Sequence, residues 1–249
     1  MVIIKTPQQI ELMAQAGKIL AACHREIRQM IRPGITTLQI DSFADEFIQA
    51  HGAKAEQKGY HGYPFATCAS VNNEICHGFP TQTPLQEGDI VTIDMVVNLN
   101  GWQADSAWSY PVGQISAKAE ELLKVTKECL YMGIEKAIEG KRLGDISHAI
   151  QSHAESNNFS VVRDFTGHGI GQSMHEEPQV LHFGHSHRGL MLSEGMVFTI
   201  EPMINIGSYE LTVDHNGWTA RTVDGSLSAQ YEHTIAITKN GPLVLTEQD

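Results

Sequence analysis

The sequence predicts an α+β fold of two pseudo-symmetric halves, each an antiparallel sheet covered by helices. Two amphipathic helical stretches precede strand-like segments early in the chain, and the same order returns later. Leu85-Gln-Glu-Gly-Asp-Ile-Val-Thr-Ile-Asp94 is echoed by Leu192-Ser-Glu-Gly-Met-Val-Phe-Thr-Ile-Glu201, 107 residues on (192 minus 85), with an acid in the last place of each. Asn100-Gly101, a strong hairpin signal, separates the strand-like runs Ile90–Asn98 and Trp102–Tyr110.

The elements follow in order. Thr6 before Pro7 reads as an N-cap with proline in the first turn, and Ile10, Met13, Ile19, Leu20, Ile27 and Ile31 suit an amphipathic helix stopped by Pro33-Gly34. Thr37 to His51 reads as a second helix ended by Gly52. Ser116 caps a third helix with Glu120 and Glu121 in its first turn that runs to Gly140, and Asp145 to Ser156 is a fourth. Other correspondences support the repeat: His77-Gly-Phe-Pro80 with His175-Glu-Glu-Pro178, Asp105 with Glu232, and Pro33-Gly34 with Glu139-Gly140 at an offset of 106 (139 minus 33). A single domain over residues 1–249 is expected, with halves of about 1–112 and 113–249 joined near Pro111 to Ser116.

Composition narrows the function. At 249 residues and 41% apolar content the chain can bury a large core, which excludes disorder. Seventeen Lys plus Arg against 29 Asp plus Glu leave a net charge of -12, unsuited to a phosphate backbone, so no specific nucleic-acid partner is expected. The start, Met1 to Met13, is polar where a secretory signal is apolar, and no run of ~18 apolar residues occurs. A cytoplasmic protein with no membrane partner is expected. Cys23, Cys68, Cys76 and Cys129 form no C-x-x-C and are read as isolated buried thiols. Thirteen histidines beside many carboxylates are an inventory for oxygen and nitrogen ligands.

The hairpin brings two of those carboxylates together. With Asn100-Gly101 as the turn, Leu99 pairs with Trp102 and Val96 with Asp105, which makes Asp94 and Asp105 diagonal neighbours on one face. Buried carboxylates side by side repel unless a proton or a cation joins them. In the second half Glu201 ends one apolar strand pattern and Glu232 opens another. Two divalent cations would balance the four acids, and His168 in Gly167-His-Gly-Ile-Gly171 completes the donor set where glycines let backbone approach closely.

Competing readings are weaker. Gly167-x-Gly-x-Gly171 lacks the spacing and the Lys-Ser/Thr of a phosphate loop. His175-Glu-Glu-Pro178 lacks the second histidine of a zincin helix and contains a proline. His182, His185 and His187 read as a solvated loop before Gly189, and His24, His148 and His153 as surface positions on helices.

Over essentially its whole length the sequence resembles the methionine aminopeptidases, the smallest members of metallopeptidase family M24 with the pita-bread fold. The carrying segments are Gly62-Tyr-Pro64, Val71-Asn-Asn-Glu-Ile-Cys-His-Gly78, Gly88-Asp-Ile-Val-Thr-Ile-Asp94, Ala104-Asp-Ser106, Gly167-His-Gly-Ile-Gly171, His175-Glu-Glu-Pro178, Phe198-Thr-Ile-Glu-Pro202 and Ala229-Gln-Tyr-Glu-His233. It looks like the short, bacterial type I form. Family ligand positions fall on Asp94, Asp105, His168, Glu201 and Glu232, and the substrate-contacting histidines on His77 and His175. Met174 stands where relatives often have Phe, and Gln57 where some have Cys.

The resemblance implies removal of an N-terminal methionine from nascent proteins and peptides whose second residue is small. It implies two divalent cations of the Co, Mn, Fe(II) or Zn class, bridged by Asp105 and Glu232, with Asp94 completing one and His168 with Glu201 the other. A hydroxide shared by the cations attacks the scissile carbonyl, Glu201 relays a proton to the leaving amine, His175 donates to the developing oxyanion, and His77 holds the amide. Tyr60, Tyr63, Cys68, Met174 and Trp218 are expected to line the methionine pocket. A monomer acting co-translationally, in transient association with the ribosome, is implied as well.

Overall fold

The structure, a computed structural model, describes residues 1–248; Asp249, at the end of the expected span, lies outside them. Helix α1 (Pro7–Met30) begins with a capping box, Thr6 and Gln9 each bonding the other's backbone N–H. Met13, Leu20 and Ile27, one heptad apart, are fully buried on its inner face. Helix α2 (Thr37–Ala50) repeats the box with Thr36 and Gln39 and stops before Gly52, whose φ is 72°. In the second half α3 (Ala117–Lys136) starts at the Ser116 cap and ends four residues before Gly140. Helix α4 (Leu143–Ser156) starts two residues earlier than expected, because Asp145 is its third residue and reaches back to the Arg142 N–H at 2.9 Å.

The strands of the first half are β1 (Lys54–Ala55), β2 (Cys68–Val71), β3 (Glu74–Cys76), β4 (Ile90–Leu99) and β5 (Trp102–Pro111). Those of the second are β6 (Ser160–Val161), β7 (Gly167–Gly169), β8 (Glu176–Val180), β9 (Val197–Ile200), β10 (Met203–Asn205), β11 (Leu211–Val213), β12 (Ala220–Thr222), β13 (Ser228–Gln230), β14 (His233–Thr238) and β15 (Gly241–Val244). All the pairings are antiparallel. Asn100 (φ 54°) and Gly101 (φ 86°) form the hairpin turn, and β4 and β5 pair from Leu99↔Trp102 through Val96↔Asp105 without a bulge. The other edge of β4 takes β2 and β1, and a five-stranded sheet runs β15-β14-β9-β7-β8.

Pseudo-symmetry is visible in backbone bonds. Gly34 N–H donates to Leu85 O at 2.8 Å, and Gly140 N–H donates to Leu192 O at 2.9 Å, equivalent positions of the repeat. Both glycines have positive φ, 93° and 82°, which makes the turn after each helix cheap only for glycine. One hydrophobic core joins α1 and α2 to β4 and β5, and α3 and α4 to β9 and β10. Between the halves, β5 meets β14: Glu232 N–H donates to Ala107 O at 2.8 Å, and Ser106 Oγ donates to Glu232 O at 2.8 Å.

Two histidine readings are corrected here. His24 is fully buried rather than on the surface, with Nδ1 2.9 Å from the Tyr110 hydroxyl and Nε2 3.1 Å from Ser106 O. Its place on the apolar stripe, four residues after Leu20 and three before Ile27, outweighs its polarity. His182 is buried, whereas His185 and His187 are exposed as expected. His148 is exposed, and His153 is half-buried against Glu128 at 2.8 Å. All four cysteines are buried free thiols. No helix of the described residues is long and apolar enough to cross a membrane.

Candidate active site

Strands from both halves converge on one cavity. From β4 and β5 come Asp94 and Asp105, placed on the same face by the hairpin register. Strand β7 contributes His168, the residue after β9 is Glu201, and the residue before β14 is Glu232. His77, His175, Tyr60, Tyr63, Cys68, Met174 and Trp218 line the same space. Every residue anticipated for the site therefore borders a single cavity.

Its polar end is a carboxylate cluster. Ligand atoms of Asp105, His168 and Glu232 lie within 4.8 Å of one another. The Nε2 of His168 is 3.6 Å from both Asp105 Oδ2 and Glu201 Oε1. His168 Nδ1 donates to the carbonyl of Gly169 at 3.1 Å, which leaves Nε2 facing the acids. Thr199 couples two of these groups: its hydroxyl accepts from His168 N–H at 3.0 Å and donates to Glu201 Oε1 at 2.8 Å. Gln230 Nε2 donates to Glu201 Oε2 at 3.3 Å, and the neutral His182 accepts the Glu201 N–H at 3.1 Å.

Burial drives the electrostatics. Desolvation, then repulsion from Asp105, lifts Asp94 well above the carboxylate range. Asp105 is pushed up to about 7 and Glu201 to about 8, in both cases chiefly by desolvation. Glu232 is raised well above its usual value by desolvation and then by Asp105 and Glu201. Burial holds His77 down to about 4 and His182 to about 3; His175 is lowered to about 4 by desolvation and the neighbouring imidazoles. These rings are neutral at pH 7.

The donor set fits a divalent cation. Asp105 Oδ1 and Glu232 Oε1 are buried with no hydrogen-bond partner among the described residues, an arrangement that costs ~1–3 kcal/mol per group or more without a counter-charge. Among the described residues no Lys or Arg lines the cavity to supply one. Carboxylates with one oriented imidazole suit hard to borderline divalent metals.

The other end of the cavity is aromatic and apolar. Trp218 meets Tyr63 edge-on at 5.1 Å, and His77 stands edge-on to Phe165 at 5.2 Å. His77 has a left-handed backbone, φ 55°, a strained conformation for a non-glycine residue. Tyr60 Oη lies 2.7 Å from His175 Nδ1, while the His175 ring stacks edge-on to His168 at 4.3 Å. Sequence reasoning missed Thr199, Gln230, His182, Phe165 and Met203. Thr199 had a signal, since it is the repeat partner of Thr92, and Gln230 stood beside Glu232 in a recognised segment. Phe165 and Met203 had none, being two apolar residues among many.

The chain is similar to known proteins over nearly its whole length. The pattern of Metallopeptidase family M24 matches residues 11–239. A methionine aminopeptidase of Clostridium perfringens is 51% identical over 246 residues, covering 99% of each chain. The crystal structure of methionine aminopeptidase from Rickettsia prowazekii superposes with a TM-score of 0.98 at 44% identity, covering 99% of this chain and 100% of that one. A prolidase from Pyrococcus furiosus shares the fold at a TM-score of 0.80 and 22% identity, covering 99% of this chain and 66% of that one. A centre of carboxylates and one imidazole at the junction of two pseudo-symmetric halves is thus set in the pita-bread fold, and the chain belongs to metallopeptidase family M24 and, within it, to the methionine aminopeptidases.

Proposed function

We propose that this chain removes the N-terminal methionine from nascent proteins and peptides whose second residue is small, using two divalent cations. The observation that carries the reading is the single cavity in which Asp94, Asp105, His168, Glu201 and Glu232 face an aromatic, sulfur-bearing wall. Asp94, Asp105, His168, Glu201 and Glu232 would hold the cations, Asp105 and Glu232 serving both, Asp94 one, and His168 with Glu201 the other. The metals are of the Mn, Fe(II), Co or Zn class and, when bound, supply Lewis-acid activation of water and of the scissile carbonyl.

The protein's own groups do the rest. Glu201 takes the proton released by water and delivers it to the leaving amine, a task worth ~10²–10⁴-fold. The Tyr60 hydroxyl donates to His175 Nδ1 across 2.7 Å, which leaves the Nε2–H free to donate to the carbonyl oxygen that becomes negative. His77 holds the scissile amide. Tyr60, Tyr63, Cys68, Met174 and Trp218 surround the substrate methionine, a flexible thioether that suits an apolar, polarisable wall. Residues 1–249 act as one catalytic domain of two halves, about 1–112 and 113–249. The enzyme works as a cytoplasmic monomer on nascent chains, meeting the ribosome transiently.

The test is release of free methionine from Met-Ala-Ser by the metal-loaded protein, scored against Ala-Pro-Gly and Leu-Gly-Gly. Cleavage of Met-Ala-Ser alone supports the reading. Activity on either of the others without Met-Ala-Ser overturns it.

A further inference from the structure

Lys5 precedes α1, and Glu176 opens β8, next to His175. Their side chains are 2% and 8% exposed, and Lys5 Nζ lies 2.5 Å from Glu176 Oε2. The second oxygen, Oε1, accepts from Gln172 N–H at 3.1 Å and from Ser173 N–H at 3.4 Å. One carboxylate therefore joins the ammonium to the backbone of the turn at residues 171–175. That turn carries Met174 and His175 into the cavity. It is also tied to the first half, because Gln103 donates from its backbone N–H to Gly171 O at 2.9 Å and from Nε2 to Gln172 O at 3.0 Å.

Two glycines make room for the lysine. A Cβ on Gly171 would stand 2.6 Å from Glu176 Oε1 and 2.8 Å from Lys5 Cε. A Cβ on Gly195 would stand 2.7 Å from Ile4 Cγ2 and from Lys5 O, and Gly195 O accepts the Lys5 N–H at 2.8 Å. A side chain at the last glycine of the Gly167-His-Gly-Ile-Gly171 segment would thus displace the ion pair packed against it. Removing the ammonium would leave Glu176 buried with only two backbone donors, a costly state relieved by rotating the carboxylate out and releasing the turn.

We propose that Lys5 is a positioning residue for the reaction: through Glu176 it holds the turn that presents His175 and Met174 to the substrate. This rests on the reading of His175 as the donor to the carbonyl oxygen. No metal ligand lies in the turn, so the effect falls on kcat rather than on metal binding.

The experiment compares manganese-loaded wild type, His175→Ala, Lys5→Met, Lys5→Arg and the double variant Lys5→Met/Glu176→Gln on Met-Ala-Ser, with manganese affinity measured by calorimetry. Lys5→Met is expected to lower kcat about 10- to 100-fold, as misplacement of a catalytic group does, with manganese affinity unchanged. Lys5→Arg restores most of the rate. The double variant, which buries no unpaired charge, folds and has a kcat between those of Lys5→Met and wild type. Should Lys5→Met fail to fold, the double variant carries the test through a kcat below wild type at full manganese affinity. A wild-type kcat in either folded variant, or a parallel fall of kcat and manganese affinity, overturns the proposal. A fully active His175→Ala overturns the reading of His175 itself, whatever Lys5 does.

Discussion

The hydroxyl of Thr234 serves both backbone groups of Asp105: it accepts the Asp105 N–H at 2.9 Å and donates to the Asp105 carbonyl at 2.8 Å. A residue of the second half thereby fixes the chain position of a buried cavity carboxylate of the first. Thr234→Val would leave two buried backbone groups without partners. A stability loss of about 2–3 kcal/mol is expected, together with weaker manganese binding, while Thr234→Ser retains most of both. Urea unfolding and titration calorimetry check the two effects.

Tyr60→Phe removes the hydroxyl that orients His175 without emptying the cavity wall. The expected result is a fall in kcat of about tenfold and a smaller change in KM. Steady-state kinetics on Met-Ala-Ser decide it; an unchanged kcat together with a raised KM would assign Tyr60 to methionine binding alone.

Metal-free protein should lose stability as pH rises from 6.5 to 8. Asp105 and Glu201 have folded values of about 7 and about 8, above those of the unfolded chain, so over this window the folded state sheds protons that the unfolded state has already lost. Their joint effect is about 2 kcal/mol. Glu201→Gln should flatten the slope. Thermal melts in chelator at pH 6.5 and 8 measure it, and saturating manganese should abolish the decline.

His24 gives the opposite slope at lower pH. Its folded value, lowered to about 4 chiefly by burial, lies below the 6.5 of an unfolded histidine, so the unfolded chain binds the proton first. The stability it contributes is complete above pH 6.5 and drains away as pH falls toward 4. Between pH 6.5 and 5 the loss is about 2 kcal/mol. His24→Gln should show a shallower acid dependence in melts over that range, because glutamine has no proton to gain.

Local rules carried much of the fold. Cap residues, Pro7 and Gly52 mark helix ends because they act within a few residues, whereas α3 stops short of Gly140, whose N–H bonds to the distant Leu192 O, and α4 starts before Asp145, which caps the Arg142 N–H from the third helical position. The neighbouring carboxylates Asp94 and Asp105 were legible for a similar reason, since a two-residue turn and a period of two determine register. His24 and His182 were not, although His24 lay on an apolar helical stripe. Their burial depends on partners far along the chain: Tyr110 and Ser106 for one, the Glu201 N–H for the other.

By itself the sequence determined two repeated halves, an acid at the end of a strand in each, and the five side chains suited to a metal. Only the tertiary structure decided that these meet in one cavity, since β14 must lie against β5 before Glu232 can approach Asp105. It alone placed Lys5 under the turn of His175, across 171 residues of chain. Hydrogen-bond register is short-ranged and can be read from neighbouring letters; convergence of buried charges depends on how whole sheets pack, which no local pattern encodes.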